Sequence, residues 1–199
     1  MATVESSPAI SWAKQTDKRI SKMTDPGQLT ALAAQAEQRA SQPGLLPLDR
    51  AELSLTATAA YGRLAQLHVN SSQNGEKGFK ELQQAVAAAP DAADVAASYG
   101  RALLIISKLN WLFRQFATSF LGINLHTEMR RDLTMLSASP QDPLCQVERQ
   151  AIAKKVGDKA QEADAAKQIA ALAQSDPAGL AKARAKMSSD SHSAQNARK

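Results

Sequence analysis

Ala97-Ser98-Tyr99-Gly100-Arg101-Ala102 echoes the earlier stretch Ala59-Ala60-Tyr61-Gly62-Arg63-Leu64 at a separation of 38 residues. Both copies lie in runs dominated by alanine and leucine, so both read as helix interior. A glycine inside a helix costs about 1 kcal/mol relative to alanine. Two of them at equivalent places predict helices that approach closely there, with the tyrosine filling the adjoining groove. A helix–turn–helix unit recurring at roughly 20–50 residues is the mark of stacked hairpins.

Working outward, Pro43, Pro90, Pro140 and Pro177 each follow a run that reads as helical. Proline cannot continue a helix and pushes its predecessor out of the α region, so each is read as a stop. The segments between them predict four antiparallel hairpins: 10–23 with 26–41, 48–69 with 76–89, 92–120 with a return ending at 137, and 143–155 with 158–175. Asp25 and Pro26 supply the cap and first position of the second helix. Residues 70–75, 122–124 and 156–157 read as turns. Ala165, Ile169 and Leu172, and Phe79, Leu82, Val86 and Ala89, are the inward-facing candidates at helical spacing. The expectation is an all-α protein of about eight helices.

Composition agrees. Hydrophobic residues make up 44% of the 199-residue chain, charged residues 22% and aromatics 4%, and alanine accounts for about a fifth. Few segments are rich in the residues that favour strands, which rules out strand-rich folds. The one cysteine, Cys145, excludes a disulfide framework and a cysteine-based metal site. Residues 1–175 read as the folded helical domain and 176–199 as a flexible basic tail. Lys182, Arg184, Lys186, Arg198 and Lys199 against Asp176 and Asp190 give residues 174–199 a net +3, leaving +2 of the chain's +5 for residues 1–173. A tail with so little to bury is expected to be disordered, and nucleic acid is not the expected partner of so weakly charged a domain. Residues 1–8 lack the charged and apolar regions of a secretory signal, so the expected location is cytoplasmic, or exported after removal of a signal.

A search for catalytic chemistry finds little. His68, His126 and His192 form no ligand spacing, and no glycine-rich phosphate loop follows a strand. Residues 74–79, with two glycines and a lysine, read as an exposed turn. His126 and Glu128 with Pro143 and Cys145 have only a faint likeness to a zinc-deaminase signature, lacking both required cysteine positions. Cys145 reads as a small buried hydrophobe rather than a nucleophile. No enzyme, cofactor or metal is expected. Lys14, Lys18, Arg19 and Lys22 form a basic stripe that reads as a solvated face.

Residues 103–125 stand apart. Half of the chain's aromatics fall between Trp111 and Phe120, while Lys108, Asn110, Arg114 and Gln115 sit among them and argue against a membrane span. The segment reads as a central core helix, or in part as an exposed groove, dimer face or lipid-contact surface.

Ala153-Lys154-Lys155-Val156-Gly157-Asp158-Lys159-Ala160, continuing through Ala165-Ala166 to Asp176-Pro177, resembles the turn, second helix and terminal proline of a tetratricopeptide-like repeat. Leu82, Ala85 and Pro90 resemble the second half of such a repeat, and the two Tyr-Gly pairs its small-residue position. The resemblance implies a right-handed solenoid of hairpins that binds proteins or peptides. The expected function is a non-catalytic scaffold or adaptor. Tyr61, Tyr99, Trp111, Phe113 and Phe116 would be its apolar contacts, and Arg63, Arg101 and Arg114 would pair with acidic groups of the ligand. The alternatives are a homodimer, and a membrane-peripheral protein using residues 103–125 and the basic helix 10–23.

Overall fold

Four helices start on the same local device: a Ser or Asp whose side chain accepts a backbone N–H three residues on, followed by proline at the first helical position. Ser7, Asp25, Asp142 and Asp176 accept from the N–H groups of Ile10, Gln28, Cys145 and Gly179 at 2.8–3.1 Å. Each acceptor satisfies a donor that the helix leaves orphaned, and proline lacks the N–H that would be orphaned beside it. In the computed structural model, which describes residues 7–196, the elements are α1 (Pro8–Ile20), α2 (Pro26–Ala40), α3 (Pro47–Gln66), α4 (Ser71–Ala88), α5 (Ala93–Lys108), α6 (Trp111–Leu121), α7 (Leu125–Ser137), α8 (Pro143–Val156), α9 (Lys159–Ser175) and α10 (Pro177–Asn196). Among the described residues there is no strand.

The all-α expectation therefore holds, with ten helices among the described residues in place of about eight. The helix expected over 92–120 is two, because Leu109 adopts an extended conformation and Asn110 restarts the chain by accepting the Arg114 N–H. The loop expected at 70–75 is helical from Ser71. His68 and Asn70, both at positive φ, compress the turn into four residues, 67–70, and the Asn74 side chain donates back to the Val69 carbonyl at 2.6 Å. Glycines 75 and 78 thus belong to α4 rather than to an exposed turn. Residues 177–196, expected as part of a disordered tail, begin as a helix that buries Leu180 and Ala183 and packs against α8. Residues 197–199 lie outside the described residues.

Packing divides the chain into two compact units, Met1–Pro90 and Asp91–Lys199, with a boundary inside the expected 1–175 domain. In unit 1, α3 is the centre, flanked by α1, α2 and α4. The buried face of α2 is Leu29, Ala33, Ala36 and Ala40, a helical period built mostly of small side chains that let α2 lie close to α3. Ile20, Leu29, Tyr61 and Leu64 fill the core between them. In unit 2, α5 packs on α7 and α8, α8 on α9, and α6 on α5. Tyr99, Leu103, Leu136, Cys145 and Ile152 are at most 1% exposed there.

Candidate functional site

The two Tyr-Gly-Arg triplets lie one in each unit and are spent largely inside. In unit 1, Tyr61 is buried and its hydroxyl donates to Glu37 Oε1 at 2.7 Å, tying α3 to α2. Burial and this carboxylate acceptor raise the phenol above its ordinary pKa, so it stays protonated. Lys77 approaches the face of the ring from α4, 5.5 Å from its centroid. Arg63 donates Nε to the Met23 carbonyl at 3.0 Å, just past the end of α1. Glu81 is buried nearby, and burial and the Glu37 carboxylate push its pKa up, while Gln84, donating at 2.9 Å, opposes them.

Unit 2 repeats the pattern more deeply. Tyr99, 1% exposed, donates its hydroxyl to Glu128 Oε2 of α7 at 2.8 Å. Arg101 Nε meets Glu148 Oε1 of α8 at 3.3 Å, and the Glu148 side chain is fully buried. Asp132 is also fully buried, and neither of its carboxyl oxygens has a hydrogen-bond partner. Burial, then the Glu148 charge, hold Asp132 well above the usual carboxylate range, and Arg131 opposes them. Burial thus favours the protonated form of Asp132, which is packed among helices rather than open to a substrate. Next to this pair, buried Arg149 donates to Gln161 at 2.8 Å and pairs with Asp164, also at 2.8 Å.

The glycines differ. A Cβ on Gly100 would stand 2.5 Å from Asp132 Oδ2 and 3.0 Å from Ile152 Cδ1, the close approach the sequence predicts. A Cβ on Gly62 would meet nothing within 4 Å. In unit 1 that role falls to Gly78 of α4, whose Cβ would lie 3.3 Å from the Tyr61 Cβ. The expectation for Gly62 is corrected accordingly: α3 turns Tyr61 toward its neighbours and Gly62 toward solvent.

Cys145 is buried, its Sγ 3.5 Å from the Ala93 carbonyl, and burial and Asp142 push its thiol up, away from thiolate chemistry. His126 is exposed. Among the described residues no three His, Cys, Asp or Glu side chains gather to hold a metal ion. Lys18, Arg19 and Lys22 border an open depression of about 620 Å³ beside the start of α2. No helix among the described residues is long and apolar enough to cross a membrane.

The remaining site residues lie on α6. Trp111 and Leu112 are each 66% exposed and Phe120 is 45% exposed, whereas the other tryptophan, Trp12, is partly buried under the Arg39 guanidinium at 4.5 Å. Arg114 is half-buried and directs Nη1 toward the Ser107 carbonyl at 3.5 Å. The side chains of Phe113 and Phe116 lie outside the described ones. So of the eight sequence-nominated contacts, Tyr61 and Tyr99 are interior, Arg63 and Arg101 brace neighbouring helices, and Trp111 stands open. Sequence reasoning passed over Leu112 and Phe120, although both lie in the segment it singled out. Asp132 had a signal of its own: Met129, Leu133 and Leu136 place position 132 on the buried face of α7. No protein-family profile, curated protein or solved structure matches this chain.

Proposed function

We propose that this chain is a non-catalytic docking protein that binds another protein or peptide through the α6 face of unit 2. The observation that carries this is the exposure of Trp111 and Leu112, neighbours in the first turn of an eleven-residue helix, with Phe120 also open in its last turn, whereas Tyr61, Phe79 and Tyr99 are buried and Trp12 is stacked under Arg39. Large apolar groups left open together, Trp above all, are typical of protein-binding hot spots. The resemblance of residues 153–177 to a tetratricopeptide-like repeat supports the same class of function. The titratable groups of the interior support it too: Tyr61, Tyr99 and Cys145 are held protonated and away from solvent, so they serve packing rather than turnover.

The test is a photo-crosslinking residue placed at position 112, with a control at exposed Gln83 of α4, in native extract. The reading predicts a discrete protein adduct from position 112 that Trp111→Ser abolishes, and none from position 83. Equal and diffuse labelling from both positions would contradict it.

A further inference from the structure

We infer that α7 is a strap released by rising pH: when Asp132 ionises, residues 125–137 lift from α5 and α8 while the rest of unit 2 stays folded. The release belongs to unit 2 whether or not α6 carries a partner. Two features of the packing carry it, and the first is the place of Asp132. The side chain is fully buried, and neither carboxyl oxygen has a hydrogen-bond partner among the described residues. Gly100 of α5 and Ile152 of α8 close over it, so that a Cβ on Gly100 would stand 2.5 Å from Oδ2. A neutral carboxyl tolerates such a site, whereas a carboxylate there has neither water nor a donor. The shortest route to water for an ionised Asp132 is to move the helix that bears it.

The charged groups on each neighbouring helix are engaged elsewhere. Arg101 of α5 directs Nε to Glu148 Oε1 of α8 at 3.3 Å, and Arg149 of α8 turns to Gln161 and Asp164 of α9. On α7 itself, Arg131 reaches Glu128 at 3.7 Å, and Glu128 accepts the Tyr99 hydroxyl from α5. Tyr99 and Cys145, which face the same junction, are held protonated by burial and add no charge. Burial, then Glu148 and Glu128, hold the Asp132 pKa well above the usual carboxylate range, and Arg131 opposes them.

The second feature is how unit 2 is joined. α7 lies on α5 and α8, but α5 also lies on α8, α8 on α9, and α10 on all three. Those four helices therefore remain packed on one another when α7 leaves. Gly122, at positive φ, precedes the strap and the turn 138–142 follows it. Met129, Leu133, Met135 and Leu136, the Tyr99–Glu128 bond and the Gln146 donation to the Leu136 carbonyl hold it down. A 13-residue helix parted from its neighbours is marginal in water, so the amides of a released α7 exchange with solvent. Because the folded pKa is raised, the strap is most secure below the ordinary Asp value of about 3.9. From there to the raised value its opening becomes up to about tenfold easier per pH unit.

Hydrogen exchange of the full chain at pH 4 and pH 8, resolved by peptide and corrected for the intrinsic pH dependence of exchange, tests this. Protection over residues 125–137 should fall at least about tenfold further than protection over α8, α9 and unit 1. In Asp132→Asn, which keeps the shape of the side chain and cannot ionise, that excess loss should vanish. Should this variant fail to fold, Arg131→Gln on the exposed side of α7 replaces it. Removing a cation that favours the ionised form should carry the loss of protection to higher pH. An unchanged profile in Arg131→Gln, or excess loss that persists in Asp132→Asn, overturns the inference. So does a parent whose α7 keeps its protection to pH 8, or loses it in step with α8 and α9.

Discussion

The same three residues, Tyr-Gly-Arg, do related work at different depths in the two units. In unit 1, Tyr61 and Arg63 tie α3 to α2 and to the end of α1, while Gly62 faces open space. In unit 2, Tyr99 and Arg101 tie α5 to α7 and α8, and Gly100 lies against a buried acid. Each tyrosine donates to a glutamate and each arginine braces a neighbouring helix. What differs is the desolvation around them: Arg63 meets a carbonyl near the surface, whereas Arg101 offsets a carboxylate that has no exposure. A short motif thus sets which groups pair, and tertiary packing sets how much each pair matters.

The sharpest way to break the comparison is to remove the arginines. Arg101→Ala strands the buried Glu148 charge and is expected to cost about 3 kcal/mol or more. Arg63→Ala deletes a partly buried hydrogen bond to the Met23 carbonyl and an exposed one to Gln66, and should cost about 1 kcal/mol. Urea titration of the two variants measures the gap, and equal costs would mean the units do not differ in depth as described.

The glycines should differ even in sign. Gly100→Ala forces a methyl against Asp132 and Ile152, an overpacking that costs about 1–3 kcal/mol. Gly62→Ala meets no atom and gains helix propensity, stabilising by about 0.5–1 kcal/mol. Chemical denaturation reads both. Destabilisation by Gly62→Ala would show that α3 approaches a neighbour there after all.

A smaller effect separates the buried acids by pH. Asp132 has its folded pKa raised, so its contribution to stability is complete below the ordinary Asp range and is lost as pH climbs toward the raised value. Asp132→Asn should match the parent near pH 4 and exceed it in Tm at pH 8. Glu81→Gln in unit 1 should behave alike with a shallower slope, since Gln84 already donates to that carboxylate. Thermal unfolding across this pH range decides it, and a flat difference for Asp132→Asn contradicts a neutral buried acid.

Much of the fold was legible because the start and stop chemistry is strong. Asp25-Pro26 announces α2, and the 3.6-residue spacing of Ala165, Ile169 and Leu172 places the buried face of α9 correctly. The reading of Pro177 only as a stop hid that Asp176-Pro177 repeats the start signal of α2 and α8, which is why α10 was missed. The candidate site was less legible. Tyrosine and arginine are common at interfaces, but here Glu37, Glu128 and Glu148 draw them inward, and those partners lie 24–47 residues away in sequence. Helix exposure depends on such distant neighbours, so residues 103–125 read either as core or in part as an exposed surface, and only the structure shows Trp111 and Leu112 facing out.

One footprinting experiment sets the interior triplets against the open helix directly. Carbene labelling of the full chain is compared in buffer and in native extract, with the label resolved by peptide. The account predicts that extract protects residues 105–121 and leaves labelling around Tyr61 to Gln66 unchanged. Protection around Arg63 with α6 labelled as fully as in buffer would contradict it.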